Sequence, residues 1–511
     1  MFMTTNFFIM LAIVVYLAIM LVIGFVYSKR NNSTEDFYLG GRKMGPLVTA
    51  MSAEASDMSS WLLMGLPGVA YLSGICDAAW TAIGLAVGTW LNWFFVSRKL
   101  RRYSNNISAI TVPDFFAKRF HDKNNVITAL SALVIIIFFI PYTASGFAAC
   151  GKLFNSLFGI NYQVAMMLSA LLIVGYTITG GFNAVCVTDL VQSIVMTGAL
   201  AIVLIYGISR AGGWTAVMDN AAALPGYLSL TSTFDVASGS EVKYNFLTIF
   251  STAAWGLGYF GMPHILVRFM AIEDEKKLVL SRRIASVWVV IAMTAGVLIG
   301  IVGLGMTKAG ALETLTGSNS ETIIVRIAGI ISQHNALTAL IAGIILAGIL
   351  AATMSTADSQ MLAAASGVSQ NIVHDFLKIK ISEKTNLLIA RLTIVGIAIV
   401  SIFLARNPDS SVFKIVSFAW AGFGGAFGAV VLCSLFWKRC NLAGAIAGII
   451  SGGATVFIWK YLIRPLGGIL DIYELLPAFI VSLIFIIVVS LLTKAPDEEI
   501  VREFEAAGKK A

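Results

Sequence analysis

Residues 47–68 read LVTAMSAEASDMSSWLLMGLPG, an apolar segment with two carboxylates, Glu54 and Asp57, in its middle. Ser52, Ala53, Ala55, Ser56, Ser59 and Ser60 crowd around them. Small and hydroxyl-bearing residues hold a continuous helix poorly in lipid, and a carboxylate at that depth is strongly disfavoured. Ionisable groups so placed therefore mark ion or substrate pathways. The pattern predicts a discontinuous helix whose broken middle binds something charged.

A second interruption follows about 200 residues later. Residues 255–263 read WGLGYFGMP, and three glycines with a proline in so short a stretch cannot make an undisturbed helix. Each interruption opens a run of five apolar segments, 46–209 and 246–436. Paired broken helices at corresponding positions of two halves point to an inverted-repeat transporter with its site at the membrane midplane. Five segments per half, an odd number, place the two halves in opposite orientation.

Composition agrees. The chain has 511 residues, of which 58% are hydrophobic and only 12% charged, against about a quarter charged in soluble domains. About thirteen apolar runs approach the roughly 20 residues that cross a bilayer. The expected fold is an all-α polytopic membrane protein of about 13 helices with a core of two inverted five-helix repeats. Residues 1–45 form a first peripheral helix and inner loop, 46–209 the first repeat, and 210–245 an outer loop. Residues 246–436 form the second repeat, 437–493 two peripheral helices, and 494–511 a cytoplasmic tail. The first apolar run lacks a basic leader and a small-residue cleavage site, so it reads as a retained span.

The net charge of +8 is explained by topology rather than by nucleic acid. With the N-terminus outside, 26 of the 35 Lys and Arg fall in inner loops, and the positive-inside rule then puts the C-terminus in the cytoplasm of a cell-membrane protein. Five cysteines without metal-like spacing read as packing residues. Four scattered histidines offer no catalytic or metal pattern, which weighs against a membrane enzyme. Polar residues gathered at one depth weigh against a channel.

Three constellations carry chemistry. Unwinding at residues 55–61 frees carbonyls suited to a hard cation such as sodium. It also offers amides near Ser59 and Ser60 to an anionic group. Ala352, Ser355, Thr356 and Ser359 share one helix face; two hydroxyls and a carbonyl there form half a cation site, which the first broken helix would complete. Tyr142, Trp255, Tyr259 and Phe260 could enclose a small apolar ring, although packing aromatics read the same way. Asp189 begins a span after a Gly-rich turn, as a helix cap or a functional group; Arg42 precedes the first broken helix as an anchor or a gating residue.

SAEASDMSSWLLMGLPG (52–68), WGLGYFGMPHILVRFMA (255–271), TITGGFNAVCVTDLVQ (177–192), AATMST (351–356) and SFAWAGFGGAFG (417–428) together resemble the sodium:solute symporter family, its proline branch in particular, over essentially the whole chain. The resemblance implies sodium-coupled uptake of L-proline across the lipid bilayer, no enzymatic step, and sodium as the coupling ion. Sugar and pantothenate are the alternative solutes within the family. It assigns sodium to the carbonyls of Ala55, Met58 and Ala352 and the hydroxyls of Ser355 and Thr356. Proline goes to Ser59, Trp61, Tyr142, Trp255, Tyr259 and Pro263. Asp57, Asp189 and Arg42 take coupling or gating roles. The chain departs from the family pattern at Glu54, Ser60, Met262 and Asp358.

Overall fold

The computed structural model describes residues 2–28, 34–379 and 382–508. In chain order its main helices are α1 (Phe2–Ser28), α2 (Pro46–Asp57), α3 (Trp61–Ser73), α4 (Ile75–Asn106), α5 (Val126–Phe158), α6 (Tyr162–Gly175) and α7 (Gly181–Arg210). A two-stranded hairpin, β1 (Ser232–Asp235) and β2 (Ser240–Lys243), precedes α8 (Phe246–Ala253), α9 (Pro263–Ala271), α10 (Glu275–Lys308) and α11 (Ala336–Phe376). The chain ends with α12 (Glu383–Ala405), α13 (Val412–Phe436), α14 (Leu442–Leu466), α15 (Leu475–Leu492) and α16 (Glu498–Gly508).

Ten of these helices are long and apolar enough to cross a membrane among the described residues, against the thirteen spans expected. The other three expected spans coincide with α2–α3, α6 and α8–α9, whose individual helices fall short of the roughly 20 residues a bilayer requires. The chain is a multi-pass membrane protein. The apolar stretch 324–373, too long for one span, divides at Asn335, whose side chain caps α11 by accepting from the Thr338 amide.

Both expected breaks are present. α2 starts on Pro46, whose missing amide does no harm at a first turn, and stops where Met58 leaves helical geometry (φ −76°, ψ 67°). α8 runs into a 3₁₀ stretch, Ala254–Gly261; Met262 is then extended and Pro263 opens α9. That stretch lies on α4 at glycines: Gly84 and Gly88 face the backbone of Ala253 and Gly256, and a side chain on either would displace it. At their far ends the two broken segments are tied together, Met44 N–H to the Ala271 carbonyl (3.2 Å) and Glu273 N–H to the Met44 carbonyl (3.0 Å).

One expected turn is absent. α6 continues into α7 through a kink at Gly181 (φ 66°) without a loop, so Asp189 does not begin a span but lies two turns inside α7. α11 runs through the middle of the bundle against α1, α5, α7 and α2, while α14 and α15 pack on each other and on α13. All five cysteines are buried and unpaired.

Candidate functional site

The break at Met58 brings backbone oxygen to the face of α11 expected to hold a cation. Ser355 Oγ donates to the Ala55 carbonyl (2.7 Å) and lies 3.2 Å from the Ala352 carbonyl. Three of the five expected oxygens thus converge across α2 and α11. The next hydroxyl, Thr356 Oγ1, is buried without a hydrogen-bond partner, and an unpaired buried hydroxyl is destabilising. The set is all oxygen, which suits sodium. No contact links the Met58 carbonyl to this group.

Beside it the Asp57 carbonyl accepts from Trp61 Nε1 and from the Tyr142 hydroxyl, each at 3.2 Å. The Asp57 carboxylate accepts from the Tyr259 hydroxyl, and its other oxygen is unpartnered. Trp61 and Trp255 rings are 5.8 Å apart, and Tyr259 meets Trp420 edge-on at 5.2 Å. Trp61, Tyr142, Trp255 and Tyr259 are therefore gathered around the open turn. Two amides expected to be free are not: Ser59 N–H donates to the Asp57 carbonyl (2.8 Å) and Trp61 N–H makes a long contact with Ser59 Oγ (3.4 Å). Pro263 stands apart from the aromatic group. It lines a narrow crevice of about 30 Å³ with His264, Arg268 and Ser359.

On the side bearing β1 and β2, a vestibule of about 950 Å³ reaches down to Trp255, Phe413 and Tyr473. Ser59, Trp61, Tyr142 and Tyr259 do not line it.

A third group lies beyond the cation set. Asp189 is wholly buried, and one carboxylate oxygen accepts from Arg268 (2.9 Å) and from Ser52 Oγ (2.7 Å). Arg268 also donates to Ser52 Oγ (2.6 Å), Ser359 Oγ (2.7 Å) and the His264 carbonyl (2.6 Å). One guanidinium thereby joins α2, α7, α9 and α11. Arg42 is outside this cluster, in the left-handed region (φ 55°). It donates to the Met270 (2.9 Å) and Ala109 (2.6 Å) carbonyls, and burial lowers its pKa to about 10.

Comparison with known proteins places this geometry. Residues 37–452 match the model of the sodium:solute symporter family. The chain belongs to that family. The sodium/proline symporters of Salmonella typhimurium and Escherichia coli K12 are each 41% identical to it, over 96% of this chain and 95% of theirs. The osmoregulated proline transporter of Bacillus subtilis is 40% identical over 97% of both. Among solved structures, a sodium-coupled sialic acid symporter in a substrate-bound outward-open state superposes with a TM-score of 0.77 at 20% identity, covering 96% of this chain and 99% of that one. A nucleobase-cation-symport-1 transporter in a closed conformation gives 0.54 at 11%, covering 92% and 98%. These two matches place the symporter's fold.

Sequence reasoning missed two parts of this symporter's centre. Arg268, at the end of an apolar run, reads in the sequence as an inner-loop cation, yet it is 2% exposed; its place at the end of WGLGYFGMPHILVR, on the short helix that follows the break, was the available signal. Glu54 accepts from Trp93 Nε1 on α4 (2.8 Å), a pairing across 39 residues that no local pattern announces.

Proposed function

We propose that the protein is a secondary active transporter that couples inward sodium flow to uptake of L-proline by alternating access. The observation that carries this reading is the meeting of the Ala55 and Ala352 carbonyls with Ser355, beside the unpartnered hydroxyl of Thr356. Relatives at about 40% identity over nearly the whole chain that bear the names of sodium/proline symporters or a proline transporter support the choice of solute.

In this reading sodium sits among the oxygens of Ala55, Met58, Ala352, Ser355 and Thr356 and clamps α2 to α11. The clamp fixes the open turn, where the proline carboxylate displaces the long Ser59–Trp61 contact and its ring lies against Trp61, Tyr142, Trp255 and Tyr259. Proline affinity then rises with sodium, and by linkage sodium affinity rises with proline to the same degree. Asp57 holds Tyr259 and contributes charge; the Asp189–Arg268 pair and Arg42 hold the opposite gate, near Pro263. The repeats run 46–209 and 246–436, with the N-terminus outside and the C-terminus in the cytoplasm of the cell membrane. The test is radiolabelled proline uptake into proteoliposomes under an imposed sodium gradient, repeated with lithium and potassium. Uptake undiminished when potassium replaces sodium on both sides would refute the coupling.

A further inference from the structure

The vestibule ends on three rings. Trp255 is in ring contact with Trp61 (5.8 Å), with Phe413 (5.4 Å) and, nearly parallel at 21°, with Tyr473 (5.3 Å). Two of the three sit on core elements of the repeats. The Trp255 carbonyl accepts from Trp420 Nε1 (2.7 Å). The Phe413 amide donates to Glu321 (3.2 Å), a buried carboxylate that is ion-paired with the buried Lys152 (2.7 Å).

Tyr473 is held differently. It belongs to neither five-helix repeat but to the connection between α14 and α15. That connection turns through Gly467 and Gly468, both with positive φ, and Gly468, Ile469 and Asp471 in it are exposed. Tyr473 reaches the core by one amide bond to Ser251 Oγ and one hydroxyl bond to the Ser417 carbonyl, both 2.7 Å. Next to it Glu474 is 1% exposed, and its carboxylate is caught by Arg464 (3.0 Å), which also grips Asp471 (2.9 Å). Arg464 itself is 42% exposed. Tyr473 is itself buried, but it rides on a connection latched through the solvent-exposed Arg464, and such segments open at lower free energy than core elements, so among these rings Tyr473 is the one placed to move.

We propose that Tyr473 is a gating residue, a lid over the substrate site that the peripheral hairpin supplies and that Arg464 latches through Glu474. The proposal rests on proline binding around Trp61 and Trp255. A lid on a diffusion path governs how fast ligand enters and leaves more than how tightly it is held, whereas a wall of the pocket governs affinity.

The experiment measures association and dissociation rates of radiolabelled proline on the full-length protein in lipid nanodiscs at saturating sodium. Tyr473→Ala should raise both rates about tenfold with little change in Kd, as removing a rate-limiting closure does. Arg464→Gln should move both the same way by less, and Tyr473→Phe, which keeps the ring, should stay near the parent. Parental rates in Tyr473→Ala, or faster dissociation alone with a matching loss of affinity, would overturn the lid. If Tyr473→Ala does not fold, Arg464→Gln decides by the same criterion. Trp255→Ala is the control for the underlying reading. Unchanged proline binding in that variant refutes the site itself, while weakened binding there with parental rates in the Tyr473 and Arg464 variants refutes only the lid.

Discussion

Replacing Thr356 by valine removes one buried oxygen and almost no volume, and the two states of the protein should answer differently. Within the protein, Thr356 Oγ1 has no hydrogen-bond partner. A buried hydroxyl in that condition is destabilising by about 1–3 kcal/mol, so Thr356→Val should leave the sodium-free protein as stable as the parent or slightly more so. With sodium, the same oxygen is one of five proposed ligands. Losing it at a similar value of about 1–3 kcal/mol lowers apparent sodium affinity about 5- to 150-fold. Ser355→Ala provides the contrast. Its hydroxyl already ties α11 to α2 through the Ala55 carbonyl, so its loss should weaken both the sodium-free fold and sodium binding. The assays are sodium dependence of proline uptake in proteoliposomes and thermal unfolding with and without sodium. Parental sodium dependence in Thr356→Val would remove Thr356 from the site, and parental dependence in both variants would remove the site.

Asp57→Ala should nearly abolish sodium-driven uptake, since it strands the Tyr259 hydroxyl and deletes a central charge, while Asp57→Glu keeps part of the activity; normal uptake kinetics at normal expression would exclude Asp57. Asp189→Asn should destabilise the protein by about 3–5 kcal/mol because it leaves a buried guanidinium unpaired. Adding Arg268→Gln should restore part of that loss in thermal unfolding, and full additivity of the two changes would refute the pairing. Trp255→Ala and Tyr259→Ala should each weaken proline binding by about 2–4 kcal/mol through lost apolar contact, leave sodium binding measured without proline nearly unchanged, and admit larger ring analogues. An unaltered analogue ranking in both would place the pocket elsewhere.

The features legible in the sequence are those whose cause is local. Glycine, proline and serine inside apolar runs broke α2–α3 and α8–α9 where expected, because backbone freedom and a missing amide act at their own positions. Ser355 was legible because helical spacing places it on the face of α11 that meets Ala55. Asp189 was misread for the opposite reason. TGG ahead of it suggested a turn, but the packing of α6 and α7 against α11 needs only a kink at Gly181. Arg268 was misread because hydropathy counts residues from the start of an apolar run, and the break at Met262 leaves α9 too short to carry Arg268 out of the bundle. Tyr473 carried no pattern at all; its place over Trp255 is set by how α14 and α15 lean on α13.

The charge balance of the centre gives the proposed sodium site a physical link to closure. Glu54, Asp57, Asp189 and Asp358 are all buried in the bundle, and each keeps one carboxylate oxygen without a hydrogen-bond partner. Among the described residues Arg268 pairs with Asp189, and no Lys, Arg or His lies within ion-pair distance of the other three. Negative groups in a low-dielectric core are stable only with compensating charge or protons. The proposed sodium ion, entering among the Ala55, Ser355 and Thr356 oxygens next to Asp57, would supply part of that compensation from outside the chain. Its removal would restore the imbalance and favour loosening α2 from α11. The same buried carboxylates that make the broken helix unfavourable as a passive membrane span make it responsive to an ion gradient.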